Sequence, residues 1–193
     1  MKIIITLNAV YTIIKDVVKW LFARKKGING KSLLGILKKE KVAREKLSNA
    51  LAELGGNRAY VYLFHNGPNY YTGESYKKVS CKVEETRNEF PATEFKQQLP
   101  ISLFPAILKE MLEDNFIFRD YAKFDKYSPE KIFSRIHKAH HWAAYPIRTK
   151  IFSSTRYYGI VCIDWTKDMP PSKKKVERTL IELSADIKPL FVK

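Results

Sequence analysis

Residues 141–148, HWAAYPIR, and residues 157–165, YYGIVCIDW, decide how this chain of 193 residues folds. The second run is almost wholly apolar, rich in β-branched and aromatic residues, as a strand buried along its length requires. The first is strand-like up to its proline break at Pro146, and a loop joins the two. They read as neighbouring antiparallel strands. Downstream, Ser172 opens a helix whose Val176, Leu180, Leu183 and Ile187 recur at i, i+4, i+7 and i+11.

Working upstream, Gly27-Ile28-Asn29-Gly30 is turn chemistry and divides an N-terminal appendage, residues 1–30, from a domain over residues 31–193. Ser32 is placed to cap a helix to about Leu54, which Gly55-Gly56 ends; Ala43, Leu47, Ala50, Leu51 and Leu54 share its apolar stripe. Arg58–His65 predicts a strand, and Asn66-Gly67-Pro68 a turn after it. Residues 76–87 alternate, with Val79, Cys81 and Val83 opposite Lys78, Ser80, Lys82 and Glu84. A helix near Pro105–Asp114 is expected to bury Ile107, Leu108, Met111 and Leu112, and Phe116–Arg119 reads as a short strand. Ser128-Pro129 opens another helix, expected to bury Ile132, Phe133 and Ile136. The expected class is α+β, an antiparallel sheet of about five or six strands flanked by N- and C-terminal helices and by cross-over helices.

Residues 3–23 form the most apolar stretch. Asn8, Thr12, Lys15, Asp16 and Lys19 line one helical stripe of it, so an amphipathic helix fits better than a uniformly apolar rod. Three readings stay open: a membrane-associating anchor, an oligomer-forming helix, and a helix folded back on its own domain. Trp20 beside Arg24-Lys25-Lys26 is an interfacial placement.

A formal charge of +15 favours anionic partners: an anionic membrane surface, nucleic acid or an acidic protein. The candidate anion-facing residues are Arg24, Lys25, Lys26, Lys38, Lys39, Lys173, Lys174 and Lys175. Two cysteines, Cys81 and Cys162, fall at apolar-phase strand positions and read as free thiols in a reducing compartment. The expected location is therefore cytoplasmic, with attachment to the inner face of a membrane if the first helix anchors it. His137, His140 and His141 have a spacing zinc accepts, but no thiol or carboxylate stands near them in sequence, and neither metal nor cofactor is expected. No nucleophile elbow and no phosphate-cradling glycine loop occurs, and Glu84 and Glu85 point to opposite faces of a strand. The expectation is a non-enzymatic protein with no catalytic residues.

The order of leading helix, strand pair, cross-over helices, strand, hairpin and closing helix resembles a GAF domain. The likeness is strongest at Ala144-Tyr145-Pro146-Ile147 and Gly159-Ile160-Val161-Cys162-Ile163-Asp164. The resemblance implies a sensory or ligand-binding module with a pocket between one sheet face and the cross-over helices, and self-association through terminal helices. This sequence departs from the cyclic-nucleotide signature Asn-Lys-x-Phe-Asp-Glu, from the cysteine setting of bilin attachment, and from the cysteine set of the GAF-type methionine sulfoxide reductases.

Polar and aromatic residues at strand ends or on the less apolar phase are the candidate binding residues: His65, Asn66, Tyr71, Ser80, Glu84, Arg119, Trp142 and Tyr145. The alternatives to a ligand- or protein-binding module are a nucleic-acid-associated basic protein and a structural subunit of a larger assembly, such as a phage particle.

Overall fold

The computed structural model describes residues 30–69, 75–87, 97–166 and 169–192. The N-terminal helix, Arg24, Lys25, Lys26 and Tyr71 lie outside them. The chain divides into two units, Met1–Lys38 and Lys39–Lys193. Of the first, the described part is the opening of helix α1 (Gly30–Leu54), where Leu33, Leu34, Ile36 and Leu37 are exposed. The helix is already under way at Ser32, and Gly55, at φ 66°, ends it in the left-handed conformation that glycine adopts without strain.

The second unit is built on a six-stranded sheet. Its strands are β1 (Arg58–Asn69), β2 (Ser75–Thr86), β3 (Leu99–Pro100), β4 (Ile117–Asp120), β5 (His141–Ile151) and β6 (Ser154–Trp165). They lie in the order β3-β2-β1-β6-β5-β4, and every neighbouring pair is antiparallel. Helix α2 (Pro105–Glu113) lies in the chain between β3 and β4, α3 (Pro129–His137) between β4 and β5, and α4 (Lys173–Phe191) closes it. The expected α+β class is the observed one.

Alternation divides the sheet into two faces. On one, Val61, Val161 and Ile163 share a core with Leu47 and Leu51 of α1 and with Val176, Leu180 and Ile187 of α4, so the predicted stripes of both helices are buried. Polar ties hold this layer: Ser184 Oγ donates to the Pro146 carbonyl at 2.9 Å, and Trp165 Nε1 donates to the Leu54 carbonyl at 3.2 Å.

Four local expectations are corrected. A register shift in β2 opposite Val61 and Tyr62 turns Val83 to the face of Val61 while Val79 and Cys81 share the opposite face, so the expected single face of Val79, Cys81 and Val83 is divided. The β5–β6 ladder runs on to Ile151↔Ser154, leaving a two-residue turn in which Phe152 has φ 53°. Pairing, rather than a long loop, satisfies the backbone groups there. Strand β1 likewise continues past His65, pairing Asn66 with Lys77. Leu112 and Ile132 point outward, being 59% and 47% exposed, because α2 buries Ile107 and Met111 and α3 buries Glu130 and Ser134, each pair four residues apart.

Candidate ligand-binding site

The second face of the sheet is aromatic. Tyr60, Tyr62 and Phe64 of β1 share it with Trp142 of β5 and Ile160 and Cys162 of β6. The Tyr60 and Tyr62 rings meet edge to face, centroids 5.2 Å apart. Trp142 Nε1 donates to the Tyr60 hydroxyl at 2.8 Å, so the indole is fixed from across the sheet. Over this floor lie Ile107, Leu108 and Met111 of α2, the segment around Ile101 and Phe104, and Tyr121.

Between floor and cover is a cavity of about 40 Å³. A water needs ~10–15 Å³ of such space, so the room is that of about three water molecules. Carbon lines nearly all of it. Tyr62 Oη and Glu130 Oε1 are both buried without a hydrogen-bond partner among the described residues, and both residues line the cavity. Burial raises the phenols of Tyr60, Tyr62 and Tyr121 above the ordinary tyrosine range, with the Asp164 charge adding to the effect on Tyr60 and Tyr121.

Local sequence explains how Glu130 gets there. Ser128 Oγ accepts from the Lys131 amide at 3.1 Å and Pro129 takes the first helical position, which puts Glu130 in the first turn of α3. Lys131 Nζ donates to the Tyr121 carbonyl at 2.6 Å and ties that turn to the segment after β4. Glu130 is left 3% exposed.

Two ion pairs stand on this face, although Arg119 Nε itself is buried without a partner among the described residues. Arg58 Nε lies 3.1 Å from both carboxylate oxygens of Asp164, with the side chains 5% and 1% exposed. Arg119 pairs with Glu110 of α2 and lies 5.8 Å from the Phe124 ring centroid. Burial pushes the Glu110 carboxyl up, against the opposing pull of Arg119.

Of the residues singled out from sequence, Trp142 lines the cavity. Arg119 and Glu84 stand opposite Trp142 and Tyr60 in the sheet register, on the cavity side but outside its lining. His65 and Ser80 come together, Nε2 to Oγ at 2.9 Å, at alternation positions of the other face, and Tyr145 packs on the core shared by α1 and α4. Asn66 is exposed, its Oδ1 accepting from Lys77 Nζ at 2.6 Å. Tyr62, Tyr121 and Glu130 escape a search for polar strand ends. The signal for Glu130 is its four-residue spacing from Ser134.

The basic candidates among the described residues are on helices. Lys38 and Lys39 are exposed on α1, and Lys173 and Lys174 on the first turn of α4, while Lys175 Nζ donates to the Glu53 carbonyl at 3.0 Å. An open groove of about 520 Å³ along α4 is lined by Lys174, Lys175 and Arg178, with Glu177 among them. No helix among the described residues is long and apolar enough to cross a membrane.

No family model matches the sequence, and no curated protein matches it significantly. Solved structures do match. The GAF domain region of a protein from Geobacter sulfurreducens PCA is 12% identical with a TM-score of 0.59, over 83% of this chain and 97% of that one. The PixJ GAF domain of Thermosynechococcus elongatus, in its blue-light absorbing form, is 13% identical with a TM-score of 0.57, over 81% and 88%. A phycocyanobilin-bound GAF domain from a cyanobacterial phytochrome is 16% identical with a TM-score of 0.54, over 79% and 85%. The fold of this chain is GAF-like, an antiparallel sheet between a helical layer and a cross-over cover.

Proposed function

We propose that the chain is a sensory module that binds a small ligand between the aromatic face of its sheet and the α2–α3 cover, and that it works by binding rather than by chemistry. The observation that carries this reading is the cavity between the aromatic face and the cover, bordered by two residues whose buried Tyr62 Oη and Glu130 Oε1 have no hydrogen-bond partner among the described residues. Buried polar groups are ordinarily satisfied, and a site that departs from this is built to meet something from outside. The fold shared with a phycocyanobilin-bound GAF domain supports a ligand role.

Native mass spectrometry of the full chain tests the reading, together with Val79→Leu, which adds one carbon to the cavity wall. A retained small mass, or saturable uptake of a few-atom probe that Val79→Leu weakens, supports it. If nothing binds and Val79→Leu simply stabilises by about 0.5–2 kcal/mol, the cavity is a packing void and the reading fails.

The charge of +15 and the lysine-lined groove on α4 favour a second role beside the first, attachment to a polyanionic surface. Anionic lipid is the partner we propose, with Arg24, Lys25 and Lys26 next to the N-terminal segment. Pelleting with anionic vesicles should be lost on removing residues 1–26. Retention on nucleic acid that falls steeply with salt, in chain lacking those residues, points instead to phosphate binding. The subunit count from the same mass spectra tests self-association.

A further inference from the structure

We infer that the β5–β6 hairpin is a membrane-contacting ribbon, whose tip enters the edge of an anionic bilayer while its arms meet the lipid phosphates. The assignment rests on anionic lipid being a partner, as proposed above, and gives that partner a contact within the sheet domain. β4 pairs with β5 no further than Ala144, and β1 pairs with β6 no nearer the turn than Gly159. From Arg148↔Tyr157 to Ile151↔Ser154 the two strands therefore pair only with each other among the described residues. Every residue from Lys150 to Arg156 is exposed. At the turn stands Phe152, 96% exposed, with φ 53°. Glycine ordinarily takes such a position in a two-residue hairpin turn, because a side chain is strained there. The chain gives up stability to hold an aromatic ring out in water, and strain of this kind gathers at sites of contact.

The charges behind the tip choose the partner. Between Glu130 and Asp164 the chain has no acidic residue, while the ribbon carries Arg148, Lys150 and Arg156. Arg148 donates to Asn115 Oδ1; Lys150 and Arg156 have no acidic partner among the described residues. At ~3.3 Å per residue, Lys150 stands about 7 Å behind Phe152, and Arg156, level with Thr149, about 10 Å behind it. A lipid headgroup layer is about 5–8 Å deep, so a ring at the hydrocarbon edge brings both cations to the phosphates. A protein partner fits less well, since a stable interface needs about 800 Å² from each side and a phenylalanine supplies about 150–250 Å². A fluid bilayer closes round a convex tip from all sides. Nucleic acid would find two unpaired cations on the ribbon, too few to follow a phosphate backbone.

The test is sedimentation of the full chain with phosphatidylcholine vesicles containing about a third phosphatidylserine. Phe152→Gly should lower partitioning by about tenfold or more, the loss of one buried aromatic side chain, and should raise the Tm measured without lipid, since glycine accepts φ 53°. Phe152→Leu, which keeps an apolar tip, should bind within about threefold of the unaltered chain. The Lys150→Gln/Arg156→Gln double variant should lose about tenfold or more. If the full chain pellets and Phe152→Gly pellets equally well, or if Phe152→Gly lowers the Tm, the ribbon is overturned and the lipid reading stands. If the full chain does not pellet with these vesicles at all, ribbon and lipid reading fall together. Retention on duplex DNA that Phe152→Gly weakens, with vesicle binding unchanged, gives the ribbon to nucleic acid instead.

Discussion

Gly159→Ala probes the joint between fold and site. Gly159 lies on β6, paired with Leu63 on one side and with Ile147 on the other. A Cβ there would be driven into the Tyr62 carbonyl oxygen, well inside the 3.0 Å that real Cβ contacts respect, and would stand 3.1 Å from Leu63 Cα. The obstacle is backbone within a ladder bonded on both sides, so the strands have to part. Losing about two backbone hydrogen bonds at ~0.5–1.5 kcal/mol each, with ~1–3 kcal/mol for forced repacking, gives a cost of about 2–6 kcal/mol. Against a total of about 5–15 kcal/mol, that is a large fraction. Urea denaturation followed by far-UV circular dichroism measures it. Gly56→Ala is the control: its Cβ meets side-chain atoms rather than backbone, Ile163 Cδ1 at 2.5 Å and Cγ1 at 2.6 Å, so the ladder stays intact and repacking alone should cost about 1–3 kcal/mol. If Gly159→Ala costs less than about 1 kcal/mol while Gly56→Ala costs more, the reasoning from backbone proximity is wrong.

Asp164→Leu strands Arg58 inside the sheet and should cost about 3–5 kcal/mol in the same assay, whereas the Arg58→Met/Asp164→Leu double variant should recover most of it. Equal losses in single and double variants would contradict this. Trp142→Phe removes the indole donor to the Tyr60 hydroxyl and should lower stability by about 1–3 kcal/mol, read as a shift in urea midpoint. Alkali should act through the buried phenols of Tyr60, Tyr62 and Tyr121, whose titration is displaced upward. Above about pH 10 the unfolded chain releases protons the folded chain retains, so stability is intact below that pH and falls above it, each phenol contributing up to about 1.4 kcal/mol per pH unit. A urea midpoint that stays level from pH 9 to 11 would show that these rings ionise normally in the folded protein.

The large elements were legible in the sequence because their burial is periodic. The 157–165 run and the Val176–Ile187 stripe each have one solution, and each is found, whereas the alternation after Ser75 breaks at a register shift that puts Val83 on the helical face and Val79 and Cys81 on the aromatic one. The small elements were not, because a nine-residue helix has room for two competing faces. On α3 the apolar Ile132 looked like the inward residue, yet Glu130 and Ser134 are buried in its place. The site was hidden for the same reason. Its walls are ordinary core residues such as Ile107, Met111 and Ile160, and its one acid sits where helices commonly carry a solvated carboxylate. Trp142 was found because a tryptophan entering a central strand is conspicuous; Tyr62, one of several aromatics on β1, was not.

The two layers on the sheet are unequal in build. One is made of helical stripes buried from Ala43 to Leu54 and from Val176 to Ile187, the other of two nine-residue helices and 3-10 turns. Short segments with few interior side chains open at lower free energy than the elements they rest on. Amide protons of α2 and α3 should therefore exchange with solvent long before those of β1, β6 and α4. A guest would then come and go through a breathing cover while the frame beneath it stays shut.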